Sequence, residues 1–287
     1  MTIRKAIIPV AGFGTRFLPA TKAQPKEMLT IVDKPIIQYI VEEAVASGIT
    51  DIIIVTSSTK RAVEDHFDRN FELEYRLAQK KKTEALQEVR SISELATFTY
   101  VRQPAPLGDG HAILQAAHLI GDEPCAVLFG DDVVATAGDP CLKQMISQFE
   151  KYRDPVIAIE QVLKKDVSKY GIIKAVKIEQ RVHQISELVE KPAPEKAPSN
   201  LAIIGKYIIT PDVFSALARV KPGKDGEMRL IDALRAVVKK HPLYGYEFEG
   251  TRYDCGSKIG LLKATVDFGL QHAELKQEFK KFLITKI

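Results

Sequence analysis

Residues 6–26, AIIPVAGFGTRFLPATKAQPK, decide how the rest of this chain is read. Ala6 to Val10 is a short apolar run, the pattern of a buried strand. Gly12 and Gly14 follow, residues that let a backbone turn tightly and come close to a ligand. Arg16, Lys22 and Lys26 then place cations just beyond the turn. Exposed backbone N–H groups beside basic side chains suit a polyphosphate. The loop lacks Gly-x-x-x-x-Gly-Lys-Ser/Thr, so it is not a P-loop. It also fails the dinucleotide fingerprint, because Phe17 stands where the third glycine should fall.

Strands and helices alternate outward from this loop. Pro35–Ser47 has helical apolar spacing and ends at Gly48, a good C-terminal cap. Asp51–Thr56 and Thr97–Arg102 read as strands, Asp109–Leu119 as a helix, and Ala126–Phe129 as a strand closing at Gly130-Asp131-Asp132. Residues 59–94 turn charged and read as two or three inserted helices, with Lys80-Lys81-Lys82 on a solvated helix face. Apolar strands alternating with helices predict a mostly parallel α/β sheet covered on both faces. Ligands of such sheets bind beyond the carboxyl ends of the strands, which gathers the glycine loop, Gln103–His111 and Asp131 at one edge. Pro9 is the discordant residue, since proline inside a strand marks an edge or a bulge. It is expected where its missing N–H does no harm.

The second half changes character. Val156–Val162, Gly171–Ile178, Val182–Val189 and Leu201–Ile209 read as strands, Pro192–Pro198 as a loop, and Met228–Lys239 and Ser257–Phe282 as helices. On the last helix Ile259, Leu262, Val266, Leu270 and Leu275 fall near one face, expected to pack on its own subunit. No free linker is visible. We expect one domain over 1–287 with two halves, 1–150 and 151–287, the second ending in the C-terminal helix; the family resemblance described below implies that the first binds the nucleotide and the second the sugar.

Composition bounds the function. The chain is 45% hydrophobic and 27% charged, the balance of an ordinary globular protein. A net charge of +4 is too small an excess to argue for nucleic acid or a membrane surface. Cys125, Cys141 and Cys255 are an odd, scattered set without Cys-x-x-Cys, which points to a reducing compartment. The apolar run at the N-terminus is too short for a signal peptide, and no stretch reaches the roughly 20 residues a membrane span needs. The expectation is a cytoplasmic protein.

Several residues could carry chemistry. Asp131-Asp132 after a buried strand suits either Mg²⁺, which takes one or two carboxylates plus phosphate oxygens, or a plain turn. Glu190-Lys191-Pro192 ends a strand; Pro192 biases Lys191 toward extended backbone, and the pair could equally be a surface ion pair. Gln103 offers a donor and an acceptor in one amide, which suits the hydrogen-bonding edge of a base. His111 reads as structural.

The loop from Ala11 to Lys26 resembles the signature of the sugar-nucleotide pyrophosphorylases (nucleotidylyltransferases). Its continuation, Glu27-Met28-Leu29, Lys34-Pro35-Ile36-Ile37-Gln38-Tyr39 and Val41-Glu42-Glu43, resembles the bacterial UTP–glucose-1-phosphate uridylyltransferase branch. So do Gly108-Asp109-Gly110-His111, Gly130-Asp131-Asp132, Glu190-Lys191-Pro192 and Tyr253-Asp254-Cys255-Gly256-Ser257, so the likeness spans nearly the full chain. It implies a Rossmann-like sheet with a smaller α+β sugar-binding region. The implied reaction is transfer from UTP to α-D-glucose 1-phosphate, giving UDP-glucose and pyrophosphate, with Mg²⁺ as cofactor. It implies Arg16, Lys26 and Lys191 as catalytic groups and Asp131 and Asp254 as metal ligands. Ala11, Gly12, Gln103 and Gly108 would meet the nucleotide, and Gly171, Glu190 and Gly205 the sugar. A homodimer or homotetramer is also implied. The chain departs from the family pattern at Thr30, Phe129-Gly130, Arg229 and Ile231, none of which removes a charged catalytic group. Two alternatives stay open: a thymidylyltransferase using dTTP, and a non-catalytic sugar-nucleotide sensor, which would have no need of Arg16, Lys26, Asp131, Lys191 and Asp254 together.

Overall fold

In the computed structural model, which describes residues 2–286, Lys5–Pro9 is an inner strand of a nine-stranded sheet. Asp51–Thr56 lies parallel on one side, with Lys5 opposite Asp51 and Pro9 opposite Val55. Cys125–Leu128 lies parallel on the other side but pairs only with Ala6 and Ile7. Val10 donates its N–H to Val55 at 2.8 Å, so the ring nitrogen of Pro9 faces the side where pairing has already stopped. That is how an inner strand tolerates a proline.

The residues of this strand are apolar on both faces because both are covered. Ala6 and Ile8 pack with the helices Ile36–Ala46 and Cys141–Tyr152; Ile7 packs with Asp109–Gln115, Pro211–Leu217 and Leu230–Val237. At roughly 25 cal/mol per Å² of apolar surface, such fully buried isoleucines each contribute about 2 kcal/mol. Two buried ion pairs lie against the sheet. Lys206 meets Glu43 at 2.7 Å, and Lys60 meets Glu27 at 2.7 Å.

The insertion forms three helices, Arg61–Phe67, Phe71–Gln79 and Thr83–Ser93. The three lysines do not lie on a helix face. They form the turn between the second and third helices, where Lys81 adopts φ 55. The helix expected over 109–119 breaks at Ala116 into Asp109–Gln115 and Ala117–Ile120.

The second half adds antiparallel strands to the same sheet. Leu201–Ile209 pairs antiparallel with Cys125–Leu128 and with Val156–Gln161. Tyr244–Glu247 follows, then the hairpin Val182–Glu190 and Gly171–Glu179. The hairpin curls back until Ile172 stands opposite Ala202. That curl carries Gly171 and Glu190 over the carboxyl ends of the parallel strands.

The C-terminal helix also differs from expectation. It divides into Lys258–Gln271 and Lys276–Ile284, because His272 takes an extended backbone. Ser257 caps the first segment by accepting the Gly260 N–H. The expected apolar stripe is covered only in part: Val266 and Leu270 are half-buried, whereas Ile259 and Leu262 are 63% and 61% exposed. The helix docks through another face, with Gly260 and Ala264 buried and Leu261 and Phe268 packed on the core, Phe268 lying edge-on to Tyr39 and Tyr253. A methyl group on Gly269 would stand 3.0 Å from the Phe279 ring of the second segment. Among the described residues no helix is long and apolar enough to cross a membrane.

Candidate active site

Two adjoining cavities open over the carboxyl ends of the parallel strands. One, about 560 Å³, is lined by Ala11, Gly12, Gln103 and Gly108. The other, about 380 Å³, is lined by Gly171, Glu190, Lys191, Gly205 and Asp254. Arg16, Lys26 and Asp131 line both. The structure thus brings the catalytic, metal and substrate residues that the resemblance implies to one cleft and divides them between two chambers with a shared boundary, while Lys22 and His111 line neither.

The glycine loop is shaped by Gly14, in left-handed conformation at φ 64, with its carbonyl held by the Thr21 hydroxyl at 2.8 Å. Gly12 is different. A Cβ there would meet no protein atom within 4 Å, so neither the turn nor packing requires glycine at that position. The open space lies on the larger cavity. The far end of the loop is fastened by Glu27, whose carboxyl is pushed up by burial while Lys60 and Lys26 oppose that rise.

At the boundary Lys26 contacts Asp131 Oδ2 at 2.5 Å. Burial pushes Asp131 up, but the charges of Lys26 and Arg16 and the Lys26 hydrogen bond outweigh it and hold the carboxyl below its ordinary range. Lys26 is correspondingly raised: burial opposes its charge, and Asp131 and Glu27 more than compensate. Among the described residues Asp254 has no such ion-pair partner. Burial raises its pKa, the neighbouring charges of Asp132 and Asp131 add to the rise, and Arg252 and Arg16 only oppose it. The two carboxylates flank Gly256: a Cβ built there would collide with Asp131 Oδ2 and stand 3.1 Å from Asp254 Oδ1. Among the described residues no cluster of three or more His, Cys, Asp or Glu side chains is shaped to hold a metal. Two acidic side chains facing one another, one lacking a cation, suit an ion that draws its remaining ligands from phosphate oxygens and water, as Mg²⁺ does.

Asp132 does other work. Its Oδ2 accepts the Gly205 N–H at 2.8 Å and its Oδ1 accepts Arg252 Nε at 2.5 Å. Arg252 also meets Glu160 at 2.5 Å and lies over the Tyr170 ring. A Cβ on Gly205 would stand 2.5 Å from Asp132 and 2.7 Å from Phe129, so packing alone demands glycine there. At Gly171 a Cβ would meet the terminal Cδ1 methyls of Ile231 and Ile203, at 2.9 and 3.2 Å, which would have to shift to admit it.

Lys191 departs from expectation. Pro192 predicts an extended residue before it, yet Lys191 sits at φ 43. Its N–H is taken by the Tyr170 carbonyl at 3.0 Å, which fixes the turn that ends the hairpin. Its side chain is 56% exposed and Nζ is 3.4 Å from Glu190. Non-glycine residues in this region cost about 1–3 kcal/mol and collect at functional sites.

Gln103 is buried, and its amide nitrogen donates to the Gly108 carbonyl at 2.9 Å and faces His111 Nδ1 at 3.0 Å. Only its carbonyl oxygen remains for a ligand, and His111 is its support. Gly108 holds φ 98 with its Cα against the Met228 backbone. Three site residues escaped sequence reading: Asp109, Asp132 as a tether, and Arg252. Asp109 was signalled by an acidic residue between two glycines; Arg252 had no signal beyond its place two residues before Asp254.

A model of the nucleotidyl transferase family matches residues 5–269. Two UTP–glucose-1-phosphate uridylyltransferases of Bacillus subtilis (strain 168) are 51% and 50% identical to this chain, each over 98% of its length and over 94% and 96% of their own. Among solved structures, a UDP-glucose pyrophosphorylase complexed with UDP-glucose matches with a TM-score of 0.87 at 47% identity, over 94% of this chain and all of that one. A UTP-bound UGPase from Acinetobacter baumannii matches with a TM-score of 0.92 at 41% identity, over 99% of both chains. By sequence and by fold, this chain belongs to the nucleotidyl transferase family.

Proposed function

We propose that this chain is a UTP–glucose-1-phosphate uridylyltransferase, converting UTP and α-D-glucose 1-phosphate to UDP-glucose and pyrophosphate. The observation that carries the reading is the pair of chambers meeting at Arg16, Lys26 and Asp131. Such a boundary suits a reaction in which one substrate's phosphate attacks the other's. The relatives named above favour UTP over dTTP, and an intact set of charged boundary residues disfavours a sensor.

The sugar phosphate is its own nucleophile. One of its oxygens bonds to the α-phosphorus of UTP in line with the breaking bond to the β-phosphate, and pyrophosphate leaves with that electron pair. The protein's part is positioning and charge neutralisation. Gln103 and Gly108 hold the base, and the open space at Gly12 admits nucleotide against the backbone. Glu190 accepts sugar hydroxyls, Gly171 and Gly205 let the ring close on the strands, and Lys191 grips the sugar phosphate. Arg16 and Lys26 stabilise the triphosphate and the departing pyrophosphate. Asp131 and Asp254 would hold Mg²⁺, whose charge, when bound, offsets that of the phosphate oxygens.

The three buried free cysteines support a reducing compartment, the cytoplasm. Exposed Ile259 and Leu262 support a homodimer or homotetramer with this helix at a subunit contact. Pyrophosphate release across a panel of nucleotides and sugar phosphates tests the function. UTP with glucose 1-phosphate should lead the panel, in the presence of Mg²⁺; no release from UTP with any hexose 1-phosphate would end the reading.

A further inference from the structure

Asp109 carries none of the roles assigned above, yet it lines both chambers. It opens the helix Asp109–Gln115, directly after Gly108. Its Oδ1 accepts the backbone N–H of Leu230 at 2.9 Å, so a side chain from the first half anchors a helix of the second. The charged and polar groups that act on its carboxyl, Glu190, Arg229 and Tyr207, all line the smaller chamber. Arg229 is already engaged by Asp225 and Glu227. Among the described residues no cation forms an ion pair with Asp109. Burial pushes the carboxyl up to about 6; the N–H groups of Leu230 and Gly110 oppose that rise, Glu190 adds to it and Arg229 opposes it. A carboxylate at a cavity wall that is held by backbone N–H groups and has no cation keeps lone pairs free to accept further hydrogen bonds. A polyhydroxylated ligand brings the donors.

We propose that Asp109 is a specificity residue of the smaller chamber, a second carboxylate that, with Glu190, accepts hydroxyls of a neutral hexose 1-phosphate and repels sugar phosphates carrying an additional acid group. The proposal rests on the reading of that chamber as the sugar site. Two carboxylates close to one ring give a polyol paired acceptors. They give a uronic acid 1-phosphate a like charge with no cation to relieve it. Selectivity then comes from repulsion of the wrong sugar as much as from attraction of the right one.

Asp109→Asn is the informative change, because its amide oxygen still accepts the Leu230 N–H while the charge is gone. At pH 8 the wild type should turn over glucose 1-phosphate and reject glucuronic acid 1-phosphate. In Asp109→Asn the ratio of kcat/KM for the two sugars should fall roughly tenfold or more, chiefly through KM for the sugars, since hydrogen bonds to charged acceptors are the stronger ones. KM for UTP should stay within about twofold. Asp109→Glu, which restores the charge, should restore rejection of the acid. An unchanged sugar ratio in Asp109→Asn, or loss of acid rejection in Asp109→Glu, would reduce Asp109 to a helix anchor. Should Asp109→Asn fail to fold, the Asp109→Glu result decides alone. A wild type that releases pyrophosphate with UTP but rejects neither sugar overturns only this inference; a wild type inactive with every hexose 1-phosphate overturns the functional reading beneath it.

Discussion

Lys191→Ala separates a phosphate clamp from a surface ion pair by orders of magnitude. In the structure Nζ stands 3.4 Å from Glu190 and the side chain is more than half exposed. An exposed pair of that kind is worth about 0–1 kcal/mol, so as a mere ion pair its loss would leave kcat/KM within about fivefold. As the group that holds the attacking sugar phosphate, its loss should cost about 3–4 kcal/mol, or roughly 10²–10³-fold, by analogy with other preorganised charge stabilisers. The backbone supplies an independent control. Lys191 sits at φ 43, and its N–H to Tyr170 survives any side-chain change. Alanine keeps the strain of a Cβ at positive φ and glycine removes it, so Lys191→Gly should be more stable than Lys191→Ala by about 1 kcal/mol, a few degrees in Tm. Both variants should be equally inactive toward glucose 1-phosphate while UTP binding is largely kept. Lys191→Arg should recover little, because a planar fork does not replace a point charge at a fitted site. The assays are steady-state pyrophosphate release and thermal unfolding. Retention of more than about a fifth of kcat/KM in Lys191→Ala refutes the clamp.

The remaining expectations are shorter. Asp131→Asn and Asp254→Asn should each greatly reduce turnover at limiting Mg²⁺ without loss of fold, since amides are poorer ligands for this ion; chelation should weaken UTP binding more than glucose 1-phosphate binding, by calorimetry. Gly12→Val should fold like the wild type, because no protein atom lies within 4 Å of the new Cβ, and yet weaken UTP; unchanged UTP affinity would move the nucleotide elsewhere. Lys206→Met leaves Glu43 buried with only the Leu142 N–H, so it should lose about 3–5 kcal/mol of stability, and a Tm within two or three degrees of wild type would contradict that.

The legible parts of this fold are those written in contiguous residues. An apolar pentapeptide followed by Gly-x-Gly and basic residues located an inner strand and its loop, because strand, turn and charge are local properties. Pro192 misled because the preference it imposes on Lys191 was overridden by a hydrogen bond to Tyr170, 21 residues away by chain number. The C-terminal helix misled because it carries apolar residues on more than one face, and the face that docks is the one with Gly260, Leu261, Ala264 and Phe268. Asp132 was read with Asp131 as a possible metal pair; its engagement with Gly205 and Arg252 spans 73 and 120 residues and leaves no sequence signature. Asp109 stood in plain view between Gly108 and Gly110, but its partner Leu230 is 121 residues distant and could not be read from that stretch.

The charges of the cleft explain why so many of its residues are ionic. Arg252 is shared between Asp132 and Glu160, and Lys26 is drawn onto Asp131. Asp254 and Asp109 have no ion pair among the described residues. Arg16, whose guanidinium among the described residues donates to the Gly256 carbonyl at 3.4 Å, and Lys191, 3.4 Å from Glu190, are loosely held cations. A triphosphate placed here therefore meets carboxylates as well as donors. At 4 Å and an effective dielectric of about 20, each like-charge pair repels by about 4 kcal/mol. Arg16 and Lys191 together cannot offset that for two phosphorylated substrates. With Asp131 and Asp254 holding a divalent cation, as proposed above, those two carboxylates would act as ligands rather than as repelling groups. An acidic boundary flanked by loosely held cations would thus suit a nucleotide that arrives with its metal better than the free anion.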